Sequence, residues 1–280
     1  MKSPNSTSIF TFNEDPEMLR IGIIYFLFTI FIPPLLIIVI KVTYINDRRA
    51  PNFPYKLMII VLTFQLLQST GHFITSPVLV FPKILKGYEV IVRVIGCMIN
   101  SSWIGDLPMM SLLSVSRVLI FTNTIKTSKF PIFVKLSVVC ILSWVVYVFL
   151  YGCITQNFMF VPPGWAYDLD APHAAIFAHL EIGLSFLSLT ISYLSYLAID
   201  YIIRKKTGTS NSQFRKNEIR ILAQSTFVTV HITSMICVWH SILIPEDLID
   251  MTSVRNQATL NLFWISHCYF HPIMILVFNK

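Results

Sequence analysis

Charged side chains are missing from most of this chain, and the stretches without them share a length. Ile21 to Ile40 carries no charge, and neither does Leu57 to Pro82. Val94 to Ser116 holds one acid, Asp106, and Ala171 to Ile199 holds one, Glu181. Leu136 to Tyr167, Ile221 to Pro245 and Asn256 to Asn279 hold none. A bilayer core about 30 Å thick is crossed by about 20 apolar residues in a helix. Only the first part of the 136–167 block has to span. Lipid offers the backbone no water, so each span must pair its own peptide groups as an α-helix. The pattern predicts an all-α membrane protein, a seven-transmembrane helix bundle. Its spans fall near 21–44, 57–81, 91–121, 133–155, 174–203, 219–244 and 257–278. Residues 1–19 read as a short tail and residues 20–280 as a single transmembrane domain.

Composition supports the same class. Only 12% of residues are charged and 55% are hydrophobic, where soluble domains carry about 25% charged residues. The net charge of +7 does not point to nucleic acid, because the basic residues sit between spans and no basic stripe with interleaved aromatics occurs. Cytoplasmic loops collect Lys and Arg. With the N-terminus outside, the inner side holds Lys41, Arg48, Arg49, Lys56, Arg117, Lys126, Lys129 and Lys135. It also holds Arg204, Lys205, Lys206, Arg215, Lys216, Arg220 and Lys280, which makes 15 of the 21 basic residues. The outer side holds six. The N-terminus is therefore expected outside and the C-terminus in the cytoplasm, with a lipid bilayer as the surrounding partner. No basic segment precedes a short apolar run, so the start of the chain does not read as a cleavable signal peptide. Asn5-Ser6-Thr7 is a glycosylation sequon on the expected outer side, while Asn100-Ser101-Ser102 lies within a span.

Two acids inside spans invite a role, because ionisable groups in the membrane are costly and face the bundle interior or a wet cavity. At 100° per residue, Trp103, Asp106, Met110, Leu113 and Arg117 share one helix face, with Asp106 roughly 16 Å from Arg117. Asp106 reads as a mid-bundle polar contact or an ion site. Glu181, with His179 two residues before it, reads either as cavity lining or as a helix-to-helix hydrogen bond. Arg117 ends its span where a guanidinium can snorkel to water. His267 and His271 share a face of the last span. Cys97 and Cys153 fall near the outer ends of their spans, where a disulfide would persist. They are either bonded or two unrelated thiols. Cys140, Cys237 and Cys268 read as small buried hydrophobes. Prolines at Pro33, Pro34, Pro77, Pro108 and Pro272 fall inside spans, where neighbours satisfy the freed backbone groups. No metal-enzyme histidine spacing, phosphate loop or nucleophile elbow occurs. No enzyme activity, metal or cofactor is expected.

The layout resembles the rhodopsin-like G-protein-coupled receptors. Where that family has Asp-Arg-Tyr, this chain has Ser116-Arg117-Val118. Where the family has Asn-Pro-x-x-Tyr, this chain has His271-Pro272-Ile273-Met274-Ile275. Cys237-Val238-Trp239-His240 approximates the family's Cys-Trp-x-Pro. The departures resemble nematode serpentine chemoreceptors, and residues 153–168, "CITQNFMFVPPGWAYD", look like the second outer loop of serpentine receptor class X. The resemblance runs from Arg20 to Lys280. It implies a chemosensory receptor, in a sensory cilium or elsewhere on the plasma membrane, that binds a small, volatile or lipid-soluble ligand. Signals would pass to a heterotrimeric G protein through the inner loops, chiefly Arg204 to Arg220. The implied ligand-binding set is Trp103, Asp106, Glu181, Trp239 and His267. The implied signalling switch is Arg117, His271 and Pro272. Ser116 offers Arg117 no acid, and Glu218 is the candidate partner instead. Asp106 lies closer to the arginine than the acid of aminergic receptors does, so it does not argue for an amine ligand. The chain ends at Lys280 directly after the last span, so the family's eighth helix and tail are expected to be absent. The rival class is a small secondary transporter or channel-like protein that uses Asp106 and Glu181. No repeat between the first and last three spans favours it.

Orientation is directly testable. Epitope tags placed at both ends should stain on intact cells at the N-terminus and only after permeabilisation at the C-terminus. A C-terminal tag visible on intact cells contradicts the reading of the basic asymmetry.

Overall fold

The computed structural model describes residues 8–127, 130–205, 212–239, 250 and 253–278. Among them are nine helices and one hairpin: α1 (Pro16–Thr29), α2 (Ile32–Arg49), α3 (Phe53–Thr75), α4 (Pro77–Val80), α5 (Lys83–Phe121) and α6 (Ile132–Thr155). The hairpin strands β1 (Phe158–Val161) and β2 (Gly164–Tyr167) come next, then α7 (Ala174–Lys205), α8 (Ser212–Trp239) and α9 (Val254–Phe278). Six helical stretches are long and apolar enough to cross a membrane. The expected span over 219–244 corresponds to α8. Its apolar part is the shorter Thr226–Trp239, and residues 240–249 lie outside the described residues.

Proline divides two of the expected spans. Asp15 caps α1, its carboxylate accepting from the Glu17 amide at 2.8 Å, with Pro16 at a position that needs no amide donor. Pro33 and Pro34 then sit in the first turn of α2. They donate nothing to the preceding turn, so the first span divides at Ile30 and Phe31. Pro77 opens α4 in the same way and divides the second span at Ser76. In α5 the departure is at Tyr88, with φ −132° and ψ 30°, while Pro108 is carried inside the helix.

α5 is the axis of the bundle. Nearly every residue from Gly96 to Ser116 is buried, because α5 packs against α3, α6 and α7. Gly105 permits this: a Cβ there would overlap Val145 of α6 and press on Phe64 of α3. Small interfacial residues let helix backbones approach closely in lipid, where no hydrophobic force draws helices together. The α5–α7 seam uses hydroxyls as well. Ser111 Oγ donates to the Ser188 carbonyl at 2.6 Å, and Ser114 Oγ donates to Tyr196 Oη at 2.8 Å.

α6 shows the opposite environment. It buries a stripe formed by Val134, Val138, Val145, Val148 and Gly152. Leu136, Val139, Val146 and Leu150 are exposed on the outward face. An exposed apolar helix face is costly in water and is satisfied by hydrocarbon. Cys140 lies off the buried stripe and is exposed, contrary to its expected burial. Cys237 is half-buried, and Cys268 is buried.

The turn-rich loop expected over 153–168 contains an antiparallel hairpin. Phe158 pairs with Tyr167 and Phe160 with Trp165, while Val161 and Gly164 flank the turn. Phe158, Phe160 and Trp165 are buried. Trp165 lies over Gly96, where a Cβ would overlap the indole ring. Arg93 of α5 anchors the hairpin base. Its Nη1 donates to the Gln156 carbonyl at 2.8 Å and to Asp168 at 3.0 Å. Asn261 of α9 donates to the Pro163 carbonyl at 3.3 Å. The hairpin is thereby tied across the end of the bundle opposite Arg117.

Cys97 of α5 and Cys153 of α6 meet beneath this anchor. Both are free thiols, close enough to influence each other. We propose that they bond in an oxidising compartment. Mass mapping of non-reduced peptides from surface-expressed chain should recover the Cys97–Cys153 cross-link. Recovery of both as freely alkylated thiols would remove it.

Candidate functional site

Under the hairpin lies a cavity of about 300 Å³, at the lower limit of small-molecule sites. Its walls come from α5, α7, α8, α9 and the hairpin. Four of the five tryptophans line it: Trp103, Trp165, Trp239 and Trp264. One acid, Glu181, joins them. Glu181 is 8% exposed, and each carboxylate oxygen has a donor. Trp103 Nε1 donates to Oε1 at 3.0 Å, and Tyr167 Oη donates to Oε2 at 2.7 Å. Asn100 Nδ2 donates to Tyr167 Oη at 2.9 Å. Burial, reinforced by the adjacent carboxylate, holds the Tyr167 phenol well above its ordinary value, so it stays a protonated donor.

The cavity floor is aromatic. Trp264 meets Trp103 edge to face at 5.9 Å between ring centroids and meets Trp239 at 5.4 Å. Trp264 Nε1 is committed to Gln68 Oε1 at 3.2 Å. Beneath the floor, Trp103 meets the His267 ring at 5.6 Å.

His267 begins a second, fully buried cluster. Its Nε2 lies 2.9 Å from Asp106 Oδ2, and both side chains are 0% exposed. Gln65 Nε2 donates to the same carboxylate oxygen at 3.3 Å and stands 3.5 Å from His271 Nδ1. Residues of α3, α5 and α9 therefore converge on one acid. Asp106 Oδ1, Gln65 Oε1 and His267 Nδ1 have no hydrogen-bond partner among the described residues. Farther along α5, His271 and Arg117 line one small cleft with Ser114 and Tyr196. Arg117 is half-buried there.

The five residues expected to bind ligand fall into two groups. Trp103, Glu181 and Trp239 line the cavity. Asp106 and His267 do not. They pair with each other one layer below, where Trp103 and Trp264 separate them from the cavity. His179 is exposed on the opposite face of α7, as its two-residue offset from Glu181 dictates at 100° per residue. Of the expected switch residues, Arg117 and His271 come together and Pro272 is buried in α9. Ser116 Oγ bonds its own helix at Leu113. Asn5, His240 and the Glu218 side chain lie outside the described residues.

Sequence reasoning missed Gln65, Gln68, Tyr167, Trp165 and Trp264. Two amides in an otherwise uncharged apolar span were a usable signal, since polar side chains there usually bond across helices. Trp264 lies one helical turn before His267, on the same face. Trp165 and Tyr167 alternate with Ala166 in strand register, a pattern hidden by the prolines beside it.

No family model matches the chain, and no curated protein matches it. Among solved structures the chain is similar to squid rhodopsin in its crystal form. Identity is 12% and the TM-score is 0.59, over 96% of this chain and 83% of that one. At that identity the likeness shows the fold. The chain is a predominantly helical membrane protein with a rhodopsin-like arrangement of helices.

Proposed function

We propose that this chain is a chemosensory G-protein-coupled receptor of the plasma membrane. A small ligand occupies the tryptophan-lined cavity, and the cytoplasmic end near Arg117 engages a heterotrimeric G protein. The observation that carries this reading is the continuity between the two ends. Trp103 of the cavity touches His267, and His267 pairs with Asp106. Gln65 bridges Asp106 to His271, and His271 shares a cleft with Arg117. A ligand that binds one arrangement of these contacts better than another shifts the population by its differential affinity. The basic residues from Arg204 to Arg220 supply charge for a partner on the same side. The N-outside orientation rests on the basic asymmetry. The nematode serpentine class and any ciliary location rest on the resemblance of residues 153–168 and of the degenerate motifs. Glu181 and Asp106 have separate sets of partners, which favours a receptor over a transporter that would carry an ion past both.

Arg117 tests the reading. A membrane-edge charge is served equally by Lys. A switch that uses the planar donor fork of arginine is not. Cells expressing the chain with a promiscuous G protein would be screened by calcium response against a panel of small odorants. For any agonist found, Arg117→Lys should keep surface expression and lower signalling about tenfold, the worth of one charge-assisted hydrogen bond. Signalling by the Lys variant at the original level would reduce Arg117 to a topological charge.

A further inference from the structure

The two buried acids differ in how their charge is met. Asp106 is paired with the imidazole of His267 and with the Gln65 amide. Among the described residues, Glu181 faces only neutral donors, the Trp103 indole and the Tyr167 phenol. No described residue lining the cavity is basic. Arg93, at the hairpin base, is already engaged by Glu89 and Asp168. An ionised carboxylate removed from water needs an opposing charge or a full set of hydrogen bonds. Two donors leave about half of its lone-pair sites open.

The rest of the wall suits one kind of partner for that charge. The indole N–H groups of Trp103 and Trp264 are spent on Glu181 and Gln68. What these rings offer the cavity is π-surface, with Trp165 and Trp239 adding more. Ring faces carry negative quadrupole density and attract cations, most strongly when the group is desolvated. An anionic ligand would meet the carboxylate head-on, and a neutral one would leave it unbalanced.

Resting on the receptor reading above, we propose that the cavity takes a small organic monocation, an alkylated ammonium with a compact apolar body. Its charge is balanced by Glu181 and its alkyl groups are held against the tryptophan faces. Binding then neutralises the site without disturbing the Trp103 and Tyr167 bonds. The small cavity volume restricts the ligand to one head group and a short body.

The test uses the full chain in lipid nanodiscs, with intrinsic tryptophan fluorescence as the readout. The probes are choline and neohexyl alcohol, its uncharged isostere with carbon in place of nitrogen. Choline should quench saturably and bind at least tenfold more tightly than the alcohol. Glu181→Gln should remove that preference by weakening choline and sparing the alcohol. Trp239→Leu keeps the carboxylate and removes one ring. It should weaken choline more than the alcohol, and it decides the matter if Glu181→Gln does not fold. Equal or tighter binding of the alcohol to the original chain would overturn the cation while leaving the cavity as a ligand site. Binding of neither probe would overturn both the cation and the cavity as the site of recognition.

Discussion

A carboxylate at the centre of a membrane bundle has to be met by something within the bundle, and Asp106 is met by His267 and Gln65. Charged groups at that depth cost several kcal/mol when left alone. Leaving one member of a buried pair without its partner costs about 3–5 kcal/mol. That constraint sets α3, α5 and α9 at one mutual height. With α5 fixed, Gly105 admits α6 and the serine seam admits α7. The hairpin then closes over the end of α5 through Arg93 and Trp165. Among the described residues, the outward side of α6 makes no comparable polar contact and depends on hydrocarbon to cover it.

The same pair separates two chemical layers. Above it, aromatic rings and Glu181 make a small site with no basic residue among its described lining. Below it, amide and imidazole groups run to the cleft that holds Arg117. Trp103 belongs to both layers, because its N–H bonds Glu181 and its ring edges His267. A change in how the cavity is filled therefore bears on the pair through one side chain. In the proposed receptor this is how ligand chemistry reaches the cytoplasmic face.

Much of this was legible in residue order, and the limits have physical causes. Uncharged blocks located the helices because bilayer thickness allows little choice of length. Asp106 and Glu181 stood out because acids are rare in such blocks. Their partners did not stand out, since His267 lies 161 residues from Asp106 and Tyr167 lies in another element from Glu181. Helix periodicity placed Trp103 and Asp106 on one face, and the rise per residue gives their spacing along α5, but neither says at what level the other elements build a cavity. The resemblance, not the periodicity, grouped Asp106 and His267 with the ligand-binding residues, although they sit a layer beneath the cavity. The hairpin was hidden for a different reason. Its strands are four residues each and flank two prolines, so an alternation that short is indistinguishable from an irregular loop.

The central claim is that Asp106 and His267 hold the bundle as a pair. A double-mutant cycle on thermal unfolding of the purified chain measures this most directly. Asp106→Leu and His267→Phe alone each strand a buried polar partner and should destabilise by about 3–5 kcal/mol. The double variant replaces both with apolar groups and should recover most of that loss, a coupling of at least about 2 kcal/mol. Losses that simply add in the double variant would mean that the two side chains stabilise the bundle separately, and the account would be wrong.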